Sequence, residues 1–148
     1  MISTTIRTIA RADIGLIEPL WDELKAHHQQ RTASFDAYYL QIGFQKRKAE
    51  LLSKDQLLIL VAGDIGCELG FCVASVNNGA GEVESLYVRP QSRHQRVGST
   101  LMQHALAWLS TQNSAPIRLL IGEGNEAVIA YYHKLGFRKR ATMMELCK

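Results

Sequence analysis

Residues Glu82 to Leu101, EVESLYVRPQSRHQRVGSTL, carry the densest chemistry in the chain. Arg93-His94-Gln95-Arg96-Val97-Gly98-Ser99 follows a run of strand formers and precedes the apolar-periodic residues Leu101, Leu106, Trp108 and Leu109. A helix that starts near Gly98 presents unpaired N–H groups and a partial positive charge at its tip. Arg93, His94 and Arg96 lie in the same turn. The combination suits a phosphorylated ligand. Just upstream, Glu82 and Glu84 share one strand face by two-residue alternation, and either carboxylate can take a proton directly or through water.

The elements that must position these groups follow from pattern. Thr4–Ile9 alternates as a first strand. Asp13 is placed to cap a helix carrying Ile14, Ile17, Leu20, Trp21 and Leu24 on one face. A second helix is expected from Phe35 to about Leu52, burying Phe35, Tyr38, Tyr39, Ile42, Ala49 and Leu52 and weakened at Gly43. Leu57–Ala62 is a continuous apolar run, expected as a buried strand. Glu68–Val76 is its hairpin partner, and Asn77-Asn78-Gly79 leads into the strand Glu82–Val88. Pro90 ends that strand, having no N–H for the ladder. A helix over Gly98–Thr111, a strand over Ile117–Ile121, a helix opened by Asn125 and stopped at Gly136, and a last strand over Thr142–Leu146 complete the order. A meander followed by strand–helix–strand units implies a mixed sheet with helices on its faces.

Composition narrows the classes. At 148 residues, 47% hydrophobic and 21% charged, the chain is expected to form a single ordered domain over 1–148. A formal charge of +3 is too small to imply nucleic-acid binding by itself. No apolar run approaches the ~20 residues needed to cross a bilayer. MISTTIRTIARAD lacks the apolar centre of a secretory signal. Cys67, Cys72 and Cys147 have no metal-ligand spacing and are odd in number, so small packing residues in a cytoplasmic protein are expected. No metal site is expected. His27 and His28 are adjacent, and adjacent helical side chains point about 100° apart, so a solvent-facing pair is expected, one of them able to line a pocket. Gln45-Lys46-Arg47-Lys48 is expected to be a solvated helix face.

Two motifs carry a family resemblance. VRPQSRHQRVGSTL (Val88–Leu101) is similar to an acetyl-coenzyme A loop that runs Gln or Arg, two residues, Gly, one residue, then Gly or Ala. Arg93 takes its first position and Gly98 its last. NEAVIAYYHKLGF (Asn125–Phe137) is similar to a later block with Asn, six residues, Tyr, three residues, Gly-Phe; Asn125, Tyr132, Gly136 and Phe137 match it. With these blocks and this order of elements the chain resembles the GNAT superfamily of N-acetyltransferases. One departure is Arg96, where the family usually has glycine. Two readings are open there: a strained positive φ, or an ordinary backbone with a guanidinium on a phosphate; the second is the expectation.

The resemblance implies a mixed, mostly antiparallel sheet of about six to seven strands, splayed in the middle, with about four helices on its two faces. It implies acetyl-coenzyme A as acetyl donor, with the loop Arg93, His94, Gln95, Arg96, Val97, Gly98 and Ser99 at the pyrophosphate. Leu86, Tyr87 and Val88 would pair with the pantetheine arm, and Asn125 would contact the cofactor or order its loop. Tyr132 would lie near the sulfur and protonate the departing thiolate. Glu84 is preferred to Glu82 as base, with Glu123 the outsider. Trp21, His28, Phe35, Tyr38 and Tyr39 would line the acceptor site, which takes a small-molecule or peptide amine by direct attack in a ternary complex. Similar proteins are often homodimers, but no feature here fixes an interface. Two other readings compete: a non-catalytic acyl-coenzyme A-binding module, and a nucleic-acid-binding domain using Lys46, Arg47, Lys48, Arg89, Arg93 and Arg96.

Overall fold

Strand-forming runs and amphipathic helices sort into a sheet covered on both faces. The computed structural model describes residues 4–147. Strands β1 (Ile6–Ile9), β2 (Gln56–Ala62), β3 (Gly70–Asn77), β4 (Ala80–Val88) and β5 (Ile117–Leu119) lie side by side in chain order. The first four are antiparallel, and β5 joins β4 in parallel. Helices α1 (Glu18–Arg31), α2 (Asp36–Gln41) and α3 (Phe44–Leu52) sit between β1 and β2. Helix α4 (Val97–Thr111) makes the crossover from β4 to β5, and α5 (Ile129–Lys134) follows β5.

Residues 58–62 of β2 are all buried because helices cover both faces of this strand. On one face Ile14, Ile17, Leu20, Trp21, Leu24, Phe44 and Leu51 pack on Ile59, Val61, Phe71, Val73 and Tyr87. On the other, the α4 residues Val97, Leu101, Met102, Ala105 and Leu109 pack on Leu58, Leu60, Cys72, Ala74, Val76 and Val83. The β3–β4 hairpin closes on Asn78 (φ +52°) and Gly79 (φ +79°), the two left-handed residues of a tight hairpin turn.

Several expectations are corrected. The helix from Phe35 to Leu52 is two helices, broken where Ile42 (ψ 117°) and Gly43 (ψ 155°) are extended. Glycine's backbone freedom makes the break inexpensive. Helix α2 buries nothing and Tyr38 is 57% exposed; Phe44 and Leu51 anchor α3, and Ala49 is exposed. Asp13 lies within a 3₁₀ segment (Arg11–Ile17) and makes no side-chain cap. Among the described residues there are five strands rather than six or seven, and five α-helices rather than four. Thr142–Leu146 forms no strand: it follows the solvated basic run Arg138-Lys139-Arg140 and is itself exposed. Cys72 alone of the cysteines is a packing residue; Cys67 and Cys147 are exposed. No helix among the described residues is long and apolar enough to cross a membrane.

Candidate functional site

The sheet comes apart where the loop before α4 begins. β4 and β5 pair only at Gly81↔Ile117, Glu82↔Arg118 and Val83↔Leu119. Past Val83, β4 keeps β3 as a partner as far as Val88 but has none on its other edge among the described residues. Val73 faces Ser85 while Ala74 faces Val83, so Glu84 is the extra residue of a β-bulge at the mouth of the gap. The free edge of Ser85–Val88 can pair with an extended ligand as a strand would. Leu86, Tyr87 and Val88 therefore border the gap, with Leu86 and Val88 toward α4 and Tyr87 toward α1.

The basic loop carries a row of unpaired amides to the tip of α4. His94 (φ +65°) and Arg96 (φ +63°) are left-handed, and the N–H groups from His94 to Ser99 have no protein acceptor among the described residues. Such a nest joined to a helix N-terminus is built for an anion. Val97 has its side chain in the core and offers its main chain only. A Cβ at Gly98 would first meet Val88 Cγ2, at 3.5 Å, so the helix tip lies against the end of β4. Arg93 is turned inward: its Nε donates to the Val88 carbonyl at 3.0 Å and its guanidinium lies 5.8 Å from the Tyr87 ring centroid. Its placement joins the loop to β4. His94, Gln95 and Arg96 are exposed.

Arg96 does not have the ordinary backbone expected of it. A left-handed L-residue costs roughly 1–2 kcal/mol, and glycine removes that cost while adding about 0.4–1 kcal/mol of unfolded-state entropy. Arg96→Gly is therefore expected to leave urea stability unchanged or raise it by up to about 1.5 kcal/mol. A loss larger than 1 kcal/mol would mean that the Arg96 side chain contributes more to the fold than its strain takes away.

Tyr132 comes from α5 and is largely buried between Tyr131 and Phe137, at ring-centroid distances of 5.3 and 5.9 Å. Its phenol makes no side-chain hydrogen bond among the described residues; burial, with the Cys72 thiol and Tyr131 nearby, pushes it up to about 12. Tyr131 reaches Ser99 Oγ at 3.5 Å and so docks α5 on the tip of α4. Burial likewise pushes the Cys72 thiol up to about 12, leaving it inert as a nucleophile at neutral pH.

The two carboxylates differ in setting. The Glu84 side chain is 2% exposed and accepts from Ser75 Oγ at 2.5 Å and Arg47 Nη2 at 3.0 Å, with Lys54 Nζ at 3.7 Å. Burial alone would raise its pKa; Ser75, Arg47, Glu82 and Lys54 outweigh burial and hold it below the ordinary value. For Glu82 burial wins, reinforced by the Glu84 charge and its hydrogen bond, and the carboxyl is raised. Arg47, expected as part of a solvated face, instead bridges α3 to the Glu84 bulge. Glu84→Gln takes a counter-charge from two cations and is expected to cost about 1–3 kcal/mol near neutral pH. With its folded-state pKa depressed, Glu84 stabilises above its unfolded pKa, and that contribution is lost as pH falls through the folded value. The stability difference between wild type and variant should therefore shrink in acid; a pH-independent difference would contradict the ion-pair account.

The proposed acceptor-side residues divide. Trp21 is 7% exposed and packs on Phe44 at 5.5 Å, so it is core rather than pocket. His28 stacks on Tyr39 (5.5 Å, 12°), and Tyr38 abuts Tyr39 at 5.2 Å. Both Tyr39 and His28 lie against Gly122, just past β5. Half-buried Phe35 begins α2, its amide donating to Thr32 Oγ1. The histidines are not a solvent-facing pair: burial lowers both, His27 has the Asn125 side chain as partner, and buried His28 Nδ1 has no partner among the described residues. Asn125 thus makes no side-chain helix cap. Glu123 accepts from Thr32 Oγ1 at 2.6 Å and from the Ala33 and Ser34 amides, tying the loop after β5 to the end of α1. Gly124 (φ +92°) is required there, since a Cβ would collide with the Arg31 carbonyl. Sequence reasoning passed over Ser75, Lys54 and Arg118; the β3–β4–β5 register lines up Ser75 and Arg118 on either side of Glu82, and Lys54 comes from the loop after α3.

A sheet parted between parallel strands, with unpaired amides at the head of the crossover helix, has the form that can take an extended, phosphate-tailed ligand edge-on. The chain belongs to the acetyltransferase (GNAT) family, whose model matches residues 19–137. It is 24% identical over 149 aligned residues to an uncharacterized N-acetyltransferase of Methanocaldococcus jannaschii, covering 92% of this chain but 61% of that protein, so the chain spans about three fifths of this relative. In fold it is similar to the PaiA N-acetyltransferase of Thermoplasma acidophilum, solved with coenzyme A (TM-score 0.72, 20% identity, 96% and 94% of the two chains). It is also similar to an aminoglycoside acetyltransferase from an uncultured soil metagenomic sample (TM-score 0.65, 18% identity, 98% of each chain).

Proposed function

We propose that this chain is an acetyl-coenzyme A-dependent N-acetyltransferase that acetylates a primary amine by direct attack in a ternary complex. The observation that carries the reading is the parting of β4 from β5 beside a row of amides that have no protein acceptor among the described residues. Gln95–Ser99 amides would hold the diphosphate, and the β4 edge over Ser85–Val88 would hold the pantetheine arm. Bound acetyl-coenzyme A supplies an acetyl thioester whose C–S bond breaks as the amine N–C bond forms. Tyr132, protonated at neutral pH, would donate to the departing sulfur. A backbone N–H at the bulged end of β4 would face the developing oxyanion.

For the proton leaving the amine, the geometry favours Glu82 over Glu84. Glu84 is saturated by Ser75, Arg47 and Lys54, whereas Glu82 is the more basic carboxylate and lines an open cavity. Glu82→Gln is expected to lower kcat/KM by about 10²-fold and to remove the acidic limb of its pH profile. A wild-type profile in that variant would exclude Glu82 as base. The whole reading is tested by incubating acetyl-coenzyme A with a panel of amines. Free thiol should form in step with acetylated amine. Binding of acetyl-coenzyme A without thiol release would favour a non-catalytic module, and salt-sensitive binding of nucleic acid in its place would favour the basic-surface reading.

A further inference from the structure

A cavity of about 360 Å³ lies on the α1–α3 face of the sheet, beside the β3–β4 hairpin. Its floor is a lateral row across three strands: Ser75 on β3 faces Glu82 on β4, which faces Arg118 on β5. Lys54 and Asn77 form its wall. The row sits two residues before the bulge at Glu84, roughly 7 Å along the strand from the mouth of the gap. Glu84, Arg47 and Lys54 satisfy one another, but Arg118 has no ion-pair partner among the described residues. Around the cavity Arg47, Lys54 and Arg118 stand against the carboxyls Glu82, Glu84 and Asp55, with Glu50 also on Arg47; of these cations Arg118 is the one left unpaired among the described residues.

Resting on the acetyltransferase reading above, we infer that this cavity holds the anionic group of the acceptor, so that the substrates are small amines that also carry a carboxylate or phosphate. Arg118 presents a planar fork of donors suited to either anion. The Ser75 hydroxyl and Asn77 amide add neutral polar groups at the rim. An acceptor anchored there carries its amine one short carbon chain away, past Glu82 and toward the gap. The volume fits a molecule of amino-acid size.

The test compares matched amines with acetyl-coenzyme A: α-, β- and γ-amino acids against their amides, and O-phosphoethanolamine against ethanolamine. At least one acid should exceed its neutral counterpart by tenfold or more in kcat/KM, and the two arms separate carboxylate from phosphate. Arg118→Gln, a change at an exposed edge position, should reduce that preference to about twofold while leaving acetyl-coenzyme A affinity unchanged. Arg118→Glu should reverse it. Neutral amines accepted as well as acids, a preference that survives Arg118→Glu, or turnover of none of the panel by protein that binds acetyl-coenzyme A would overturn the inference alone. Failure to bind acetyl-coenzyme A at all would instead remove the assignment beneath it.

Discussion

Gly98→Asp is expected to abolish coenzyme A binding in a protein that stays fully folded. Gly98 is the second residue of α4, and a Cβ there meets nothing nearer than Val88 Cγ2 at 3.5 Å. A carboxylate in the first turn of a helix is stabilising, by about 0.3–1 kcal/mol, so the melting temperature should hold or rise. The same carboxylate would stand among the amides proposed to hold the diphosphate. Two unit charges about 5 Å apart repel by about 3 kcal/mol at an effective dielectric near 20, which is over a hundredfold in affinity. Gly98→Ala keeps the space and omits the charge, and should bind within a fewfold of wild type. Calorimetry showing wild-type affinity in Gly98→Asp would put the phosphates somewhere else.

Tyr132→Phe is expected to lower kcat by about 10²-fold, the lower end of what a positioned general acid contributes, with coenzyme A affinity nearly intact. The ring stays, so its packing on Tyr131 and Phe137 stays too. The hydroxyl makes no side-chain hydrogen bond among the described residues, so removing it should cost little stability. A thiol of ordinary pKa, near 8.5, leaves as thiolate unless a donor stands by, and a phenol held near 12 keeps its proton until that moment. An unchanged kcat would take Tyr132 out of the chemistry and leave it as an aromatic of the α4-side core.

The sequence made the main scaffold legible because each element announces itself locally. The continuous apolar run of β2, the Asn78-Gly79 turn and the buried Leu20, Trp21 and Leu24 of α1 form as read, while Ile14 and Ile17 are buried from the 3₁₀ segment before that helix. What local pattern could not show was set by long-range contacts. Glu82 and Glu84 look equivalent along the strand, yet the bulge, Ser75 and Arg47 make one a buried ion-pair member and leave the other facing a cavity. Trp21 has the composition of a pocket residue, but α3 folds Phe44 onto it. Arg96 breaks the usual loop pattern, and the chain keeps the left-handed turn despite its Cβ. Thr142–Leu146 has strand-like residues but stays exposed and joins none of the described strands.

The claim on which the account stands is that the turn before α4 grips a diphosphate and so lays an extended arm along the unpaired edge of β4. Amide-resolved ¹⁵N spectra recorded while coenzyme A is added measure this most directly. The account predicts large, saturable shifts confined to Gln95–Ser99 and Ser85–Val88, with β1 and β2 nearly still. Saturable shifts that gather on any other surface, while Gln95–Ser99 stay in place, would contradict it.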